Sequence, residues 1–350
     1  YKRQILEMLR NLLEINLKIK GVKKMVDTKQ ESMESLILSD INDENLLVDS
    51  SPHIKDKLST QSIMRDVLIA LIPTSLVGVL VFGLRAIFII ATCAISAVIS
   101  EYAFQKITKK EITIKDLSAI VTGVLLALNL PINTSLWVAC IGSIVAIVLV
   151  KQIFGGIGCN FMNPALAARA FLLAAWPESI SIFTLDGVTT ATPLALLKNG
   201  QGNLPPLSNA FLGNIAGCIG EVSSLAILIG ALYLLYRKVI TWHIPLVYIG
   251  TVLILTTVIG RNGFLSGNGI YEIFTGGLFL GAFFMATDYV TSPLTKKGQI
   301  IFAFGCGLIT TLIRIFGGYP EGVSYSILLM NLLVPVIDYY IKPKAFGNEK

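Results

Sequence analysis

Long apolar runs with almost no charge fill this chain between residues 66 and 341. About 20 apolar residues in a helix cross a ~30 Å hydrocarbon core, and in lipid every backbone polar group must be satisfied inside the segment or its partners. Ten runs are legible, at roughly 66–83, 86–105, 117–130, 136–152, 163–177, 211–236, 244–260, 273–290, 299–316 and 323–341. The expected fold is therefore an all-α polytopic membrane protein with about ten transmembrane helices. Charged residues make up 14% of the 350 positions, against about 25% in a soluble domain. That deficit excludes an ordinary soluble enzyme, a disordered chain and a nucleic-acid-binding module. The third and fifth runs are short for a full crossing, which points to broken or re-entrant helices around an internal site.

Charge placement sets the expected orientation. Residues 1–24 carry seven Lys/Arg against two Glu, and residues 25–50 carry seven acids against one Lys. With the amino terminus inside, the inner segments beyond the tail hold twelve Lys/Arg: Lys106, Lys109, Lys110, Lys115, Lys151, Arg237, Lys238, Lys296, Lys297, Lys342, Lys344 and Lys350. The outer loops hold three, Arg85, Lys198 and Arg261. Positive residues stay on the cytoplasmic side, so both termini are expected there and the long loop 178–210 outside. The resulting plan is a cytoplasmic tail at 1–65, a first membrane half at 66–177, the extracytoplasmic loop, a second half at 211–341 and a short cytoplasmic tail at 342–350. Within the first tail, residues 1–24 read either as a cationic helix lying on an anionic membrane surface or as non-native upstream sequence, since Met25 opens a plain acidic leader.

The two halves echo each other. Ile153-Phe154-Gly155-Gly156 follows the fourth run and Ile315-Phe316-Gly317-Gly318 follows the ninth, with Thr122-Gly123 and Thr275-Gly276 upstream. Five spans per half force opposite orientations, which is the inverted-repeat plan of many transporters.

Residues able to carry chemistry are few. The five cysteines form no CxxC pair and two histidines are too few for a His-rich metal site. Free Cys packs as a small hydrophobe, and a cluster built by this chain alone lacks grouped thiolates. The sharpest motif is Asp186-Gly187-Val188-Thr189-Thr190-Ala191-Thr192. It resembles the flavinylation sequence Asp-x-x-(Ser/Thr)-(Gly)-Ala-Thr, whose last Thr carries FMN through a phosphoester. Such chemistry needs an exposed hydroxyl and small neighbours that thread into a separate flavin transferase. Thr190 stands where Gly is usual, so three hydroxyls lie close together. A Thr-rich turn capping a helix at Pro193 explains the same residues.

From about Ser50 onward the chain is similar to the D subunits of Rnf ferredoxin:NAD+ oxidoreductases. More distantly, it is similar to the B subunits of sodium-pumping NADH:quinone oxidoreductases. The residues carrying the resemblance are Ser51-Pro52-His53, the segment from Ile153-Phe154-Gly155-Gly156 through Asn163-Pro164-Ala165, the Asp186–Thr192 motif, Gly217–Glu221, and Met285-Ala286-Thr287-Asp288 through Pro293. Tyr289 replaces the usual Pro. The resemblance implies an electron-transfer subunit with covalent FMN on Thr192, within motif residues Asp186, Thr189 and Ala191. It leaves open a second, non-covalent flavin (riboflavin or FMN) deeper in the membrane. It also implies a prokaryotic cytoplasmic membrane, five partner subunits including an extracytoplasmic FMN subunit, a flavin transferase for maturation, and coupled movement of Na+ or H+.

Other candidates stay open between a functional and a structural role. The turn Gly155–Ala165 could be a flavin or ion niche, with Asn163 as a cofactor contact, or simply a tight turn that needs the same glycines. Glu221 lies inside an apolar span, where a carboxylate is expensive and usually faces a pathway or partner. Arg169 is its expected charge partner. Asp288 reads as an ion ligand or as solvated, while Glu101, Arg314 and Asp338 are expected to snorkel from span ends. A channel or secondary transporter for a small solute fits the same architecture, and a flavin on Thr192 separates the two readings.

Overall fold

Ser59 starts the first long helix. Its side chain accepts from the Ser62 N–H, and the Ser62 hydroxyl accepts from the Ser59 N–H, a reciprocal cap that satisfies two orphan donors. Helix α1 (Thr60–Phe82) then runs to Gly83, whose φ of 74° allows the reversal into α2 (Leu84–Ile107). The computed structural model describes residues 59–185, 188–200, 204–260, 263–265 and 267–343, all within the unit Leu58–Lys350. The tail readings for residues 1–24 and 25–58 lie outside the described residues, as does Asp186.

The remaining helices are α3 (Ser118–Leu128), α4 (Leu136–Ile144), α5 (Pro164–Ala175), α6 (Pro177–Ser181), α7 (Pro193–Asn199), α8 (Leu207–Leu212), α9 (Ser224–Tyr236), α10 (His243–Val258), α11 (Gly269–Phe274), α12 (Leu278–Leu280), α13 (Lys296–Phe316) and α14 (Val323–Tyr340). Among the described residues, α1, α2, α13 and α14 are long and apolar enough to cross a membrane, and five shorter apolar helices accompany them. The chain is thus mostly helical and polytopic. Two hairpins, β1 (Thr184–Leu185) with β2 (Val188–Thr189) and β3 (Ile259–Gly260) with β4 (Gly263–Phe264), lie in connecting segments.

Helix α2 packs on α3 and α4, and α10 packs on α11 and α13. Helices α1 and α9 pack together, as do α5 and α14. Without a hydrophobic drive between helices in lipid, close backbone approach through small residues matters most. A Cβ added at Gly230 of α9 would lie 2.1 Å from the Ala70 carbonyl oxygen of α1. Gly230→Ala is therefore expected to lose about 1–3 kcal/mol through overpacking. Thermal melting in detergent would show this, and an unchanged midpoint would mean that α1 and α9 separate freely.

Two of the expected spans are not continuous helices. The run 211–236 breaks between α8 and α9, where Gly213 takes φ 123° and the irregular segment 213–223 donates from Ile219 to Leu130 O and from Gly220 to Leu128 O. The run 273–290 breaks at Thr275–Gly277, and residues Gly281–Met285 continue as a π-helical turn. Non-helical backbone is tolerated at membrane depth where protein covers it. The third and fifth runs, expected to be short for a crossing and broken or re-entrant, form helices of 11 and 12 residues. The two Ile-Phe-Gly-Gly turns also differ. Gly155 and Gly156 adopt φ 128° and 101°, whereas Gly317 is extended at φ −73°, ψ 169°. Identical tetrapeptides here take the backbone that their surroundings require.

Candidate functional site

Loop 178–210 folds back on the second half of the chain. The β1–β2 hairpin pairs Thr184 with Thr189, and the Thr190 N–H donates to Phe183 O at 3.0 Å. The chain then enters α7 through Thr192, whose extended backbone and side-chain oxygen cap the helix by accepting from the Ala195 N–H at 3.3 Å. Pro193 at the first helical position has no N–H to leave unsatisfied. Thr192 is only 5% exposed, which corrects the expectation of an accessible hydroxyl. Among the described residues of the motif, Val188, Thr189, Thr190 and Ala191 are exposed. At the far end of α7, the Lys198 ammonium donates to the carbonyls of Gly317 and Tyr319, tying the Thr192 segment to the 317–322 turn.

Thr189 through Thr192 form one wall of a cavity of about 480 Å³. Phe183, Tyr319 and Tyr325 supply aromatic lining, and Arg169, Ser324 and Glu321 close its polar side. The rings of Tyr319 and Tyr325 lie 6.0 Å apart at 32°. Arg169 rises from α5 and is nearly buried. Its Nη2 meets Glu321 Oε2 at 2.7 Å, and its Nη1 donates to Ser324 Oγ at 3.0 Å and to Asn129 Oδ1 at 3.3 Å. Glu221 Oε1 stands 3.6 Å from Nη1. The expected Arg169–Glu221 pairing is therefore present, but Glu321 takes the shorter contact. Burial pushes the Glu321 carboxyl up, and the Arg169 guanidinium against it outweighs that, leaving it below the ordinary carboxylate range. Sequence reasoning missed Glu321 because a carboxylate in a Gly-Tyr-Pro-Glu-Gly turn reads as solvated.

The helix break at Thr275–Gly277 makes room for these charges. A Cβ at Gly277 would sit 2.5 Å from Glu221 Oε1. One at Gly276, where φ is 73°, would lie 3.5 Å from Arg314 Nη2 and 3.7 Å from Glu321 Oε1. Arg314 itself is 0% exposed and donates to Glu272 O at 2.7 Å, with the Glu272 carboxylate at 3.7 Å.

A second polar cluster lies near the other end of the bundle. Lys151 meets Glu101 at 2.7 Å and Ser118 Oγ at 2.6 Å, and Gln152 also donates to Glu101. The π-helical turn Val145–Gln152 gives Lys151 and Gln152 their register, and such turns recur at functional sites. Glu101 and Arg314 therefore do not snorkel. Each is held inside by an opposite charge, because an unpaired buried charge is costly. Lys151, counted among the cytoplasmic loop charges, is likewise an interior residue. Asp338 stays part-exposed and accepts from the Leu294 N–H.

Asn163 caps α5 by accepting from Ala165 and Leu166 and donates to Met285 O at 3.2 Å. With Lys151, Asn160 and Asp288 it lines a second cavity of about 100 Å³. Asp288 is part-buried and accepts from Thr291 Oγ1 at 3.1 Å. The Tyr289 hydroxyl donates to Val239 O. Neither Asn163 nor Asp288 approaches the Thr192 cavity walls.

A model of the NQR2, RnfD, RnfE family matches residues 47–347 of this chain. The chain belongs to that family. A relative from Acetobacterium woodii, named as the D subunit of a Na(+)-translocating ferredoxin:NAD(+) oxidoreductase complex, is 54% identical over 317 residues, covering 89% of this chain and 98% of its own. A relative from Clostridium ljungdahlii, named as the D subunit of a proton-translocating ferredoxin:NAD(+) oxidoreductase complex, is 46% identical over 321 residues, covering 87% and 96%. The D subunit of an ion-translocating oxidoreductase complex from Alcanivorax borkumensis is 35% identical over 336 residues, covering 87% and 98%. Kinship with the NQR2, RnfD, RnfE family and the apolar helices together make this a multi-pass membrane protein.

Proposed function

We propose that this chain is the D-type membrane subunit of an ion-translocating ferredoxin:NAD+ oxidoreductase complex, and that it carries electrons on an FMN joined by a phosphoester to Thr192. The observation that supports the site is the meeting of the motif's last Thr with a cavity large enough for a tricyclic ring. Its volume falls in the ~300–1,000 Å³ range of cofactor pockets. Three aromatic side chains suit a flat conjugated system, and the buried Arg169 cation suits one that gains negative charge. When attached, FMN supplies one- and two-electron redox chemistry. The chain anchors it through Thr192, flanks it with Phe183, Tyr319 and Tyr325, and sets the local field with Arg169 and Glu321. Glu221 is the ion-path candidate nearest this cavity.

Because Thr192 is buried as a helix cap, a flavin transferase must reach it before α7 docks or while α7 is lifted from the 317–322 turn. Covalent flavin is tested by expressing the chain with a flavin transferase and viewing the denatured band under ultraviolet light. A dark band of full-length, inserted protein would overturn the reading.

The packing supports two inverted five-helix halves. In each, one helix packs on two later ones of the same half, α2 on α3 and α4, and α10 on α11 and α13. The halves meet through the matching pairs α1–α9 and α5–α14. In this arrangement both termini are cytoplasmic and the Thr192 cavity opens on the outer side. Leu204→Cys in a background lacking exposed Cys159 is expected to react with an impermeant maleimide on intact cells, and Lys297→Cys is not. The reverse pattern would place the flavin on the cytoplasmic side. Partners follow from the same reading: the other subunits of the complex and the lipid around them.

A further inference from the structure

Lys238, Lys296 and Lys297, exposed at one end of the bundle, each sit where the local backbone disfavours them. Helix α9 ends at Tyr236, and Lys238 two residues later adopts φ 58°. Its N–H donates to Leu235 O and that of Val239 to Leu234 O, a helix-ending turn whose left-handed position Gly fills best. A side chain there costs stability. The carboxyl end of a helix favours a cation, but Arg237 at the cap already supplies one. Lys296 and Lys297 open α13, where the amino end of the helix dipole repels positive charge. A sequence that breaks local rules does so where something else is served.

The three lysines share one surface. Thr241, in the 237–242 connection between α9 and α10, donates to Gln299 Oε1 in the first turn of α13 at 3.1 Å, and α10 packs along α13. The nearby carboxylates are engaged: Asp66 with Arg237 at 3.1 Å, Asp338 with the Leu294 N–H and Asp288 with Thr291 Oγ1. Trp242 is exposed on the same connection and stacks on His243 at 4.3 Å. Such a ring, apolar with one N–H, suits the headgroup level of a bilayer. Apolar stripes run on from these residues. Leu246, Gly250 and Ile254 follow Trp242 at four-residue intervals along α10, and exposed Ile301 and Phe304 follow Lys297 along α13. A Cβ at Gly250 would meet nothing within 4 Å. Packing inside the chain therefore does not require that glycine, which leaves a notch in the stripe.

We propose that this surface binds an anionic phospholipid, with its phosphate held by Lys238, Lys297 and the Trp242 N–H and its acyl chains laid along the stripes of α10 and α13. An anion there offsets both local costs, since it neutralises the lysines against the α13 dipole and gives the left-handed Lys238 a partner. Basic surfaces between helix ends at the membrane boundary hold acidic headgroups in this way. A zwitterionic headgroup carries its own cation beyond the phosphate, which three ammonium groups repel. The site is independent of the flavin reading.

The test is fluorescence quenching of the full chain in phosphatidylcholine bilayers. The chain has three tryptophans, so Trp137→Phe with Trp176→Phe leaves Trp242 as the sole emitter. Brominated phosphatidylglycerol is expected to quench Trp242 several-fold more than the same mole fraction of brominated phosphatidylcholine. Lys238→Gly and Lys297→Gln are each expected to lower that enrichment about fivefold, the effect of one lysine at an anionic surface. Salt at about 1 M, where screening acts within ~3 Å, is expected to abolish it. Lys238→Gly relieves the backbone, so it is expected to insert and to melt at or above the parent. If it does not insert, Lys238→Asn, which also tolerates the left-handed region, reads the same enrichment. Equal quenching by the two lipids would overturn the proposal and leave the Gly250 notch to a helix of another chain. Enrichment that survives both lysine substitutions, or that persists in high salt, would overturn it as well, because the lysine charges would then not be its cause.

Discussion

Thr192→Val is expected to abolish covalent flavin completely, while Thr189→Val and Thr190→Val retain it. The effect is all-or-none because the phosphoester needs a hydroxyl, and Val matches the shape of Thr without one. The stability cost is expected to be about 1 kcal/mol, the usual value of an N-cap, because Thr192 Oγ1 satisfies the Ala195 N–H of α7. In-gel fluorescence measures the loss, and mass spectrometry of the peptide spanning 184–198 locates the flavin in the parent. Flavin found on Thr189 or Thr190 would move the site by two or three residues onto the exposed part of the motif. It would also remove the requirement that α7 be undocked during maturation.

Arg169→Leu is expected to be the most damaging single change in the described residues, at about 3–5 kcal/mol, the cost of stripping one partner from a buried ion pair. The guanidinium contacts Glu321 at 2.7 Å, Glu221 at 3.6 Å and Ser324 at 3.0 Å. Without it, the buried Glu221 and the part-buried Glu321 both lose the guanidinium they contact. The chain then has to protonate both or let water into the bundle. Thermal melting of the purified protein in detergent checks this, with Glu221→Gln as the contrast. The Gln variant leaves Arg169 its shorter contact with Glu321 and is expected to melt within a few degrees of the parent. If Arg169→Leu melts as the parent does, the cluster is hydrated and contributes little.

Some of this was legible residue by residue. Helices α1, α2, α13 and α14 fall close to their expected positions because twenty apolar residues in lipid have one way to satisfy their backbone. Gly83 ends α1 because a φ of 74° suits no other residue so well. The runs 211–236 and 273–290 looked equally helical, since hydropathy does not register a glycine that is needed for contact. Gly220 and Gly277 break helices because Leu128 and Glu221 occupy the space a side chain would take.

Charge partners were harder to read. Glu101 and Arg314 sit near span ends in sequence, where a long side chain can reach water, and only the packing of α2 against the π-helical turn Val145–Gln152 and of α11 near α13 brings Lys151 and Glu272 to them. Thr192 illustrates both levels. Its motif is a local pattern and was readable as such. Its burial depends on Lys198 of the same helix reaching the carbonyls of Gly317 and Tyr319, more than a hundred residues away.

The amino-acid sequence by itself determined the solvent this protein folds in, the approximate position of its helices and the threonine that ends its one distinctive motif. These follow from local composition, because transfer to lipid and backbone satisfaction act on each segment alone. The tertiary structure decided that Arg169 pairs with Glu321, 152 positions away, that two apolar runs open into irregular backbone, and that Thr192 faces a cavity with a charged floor. Those outcomes depend on which surfaces meet. A buried charge is stable only beside its partner, and that partner is chosen by the packing of distant helices.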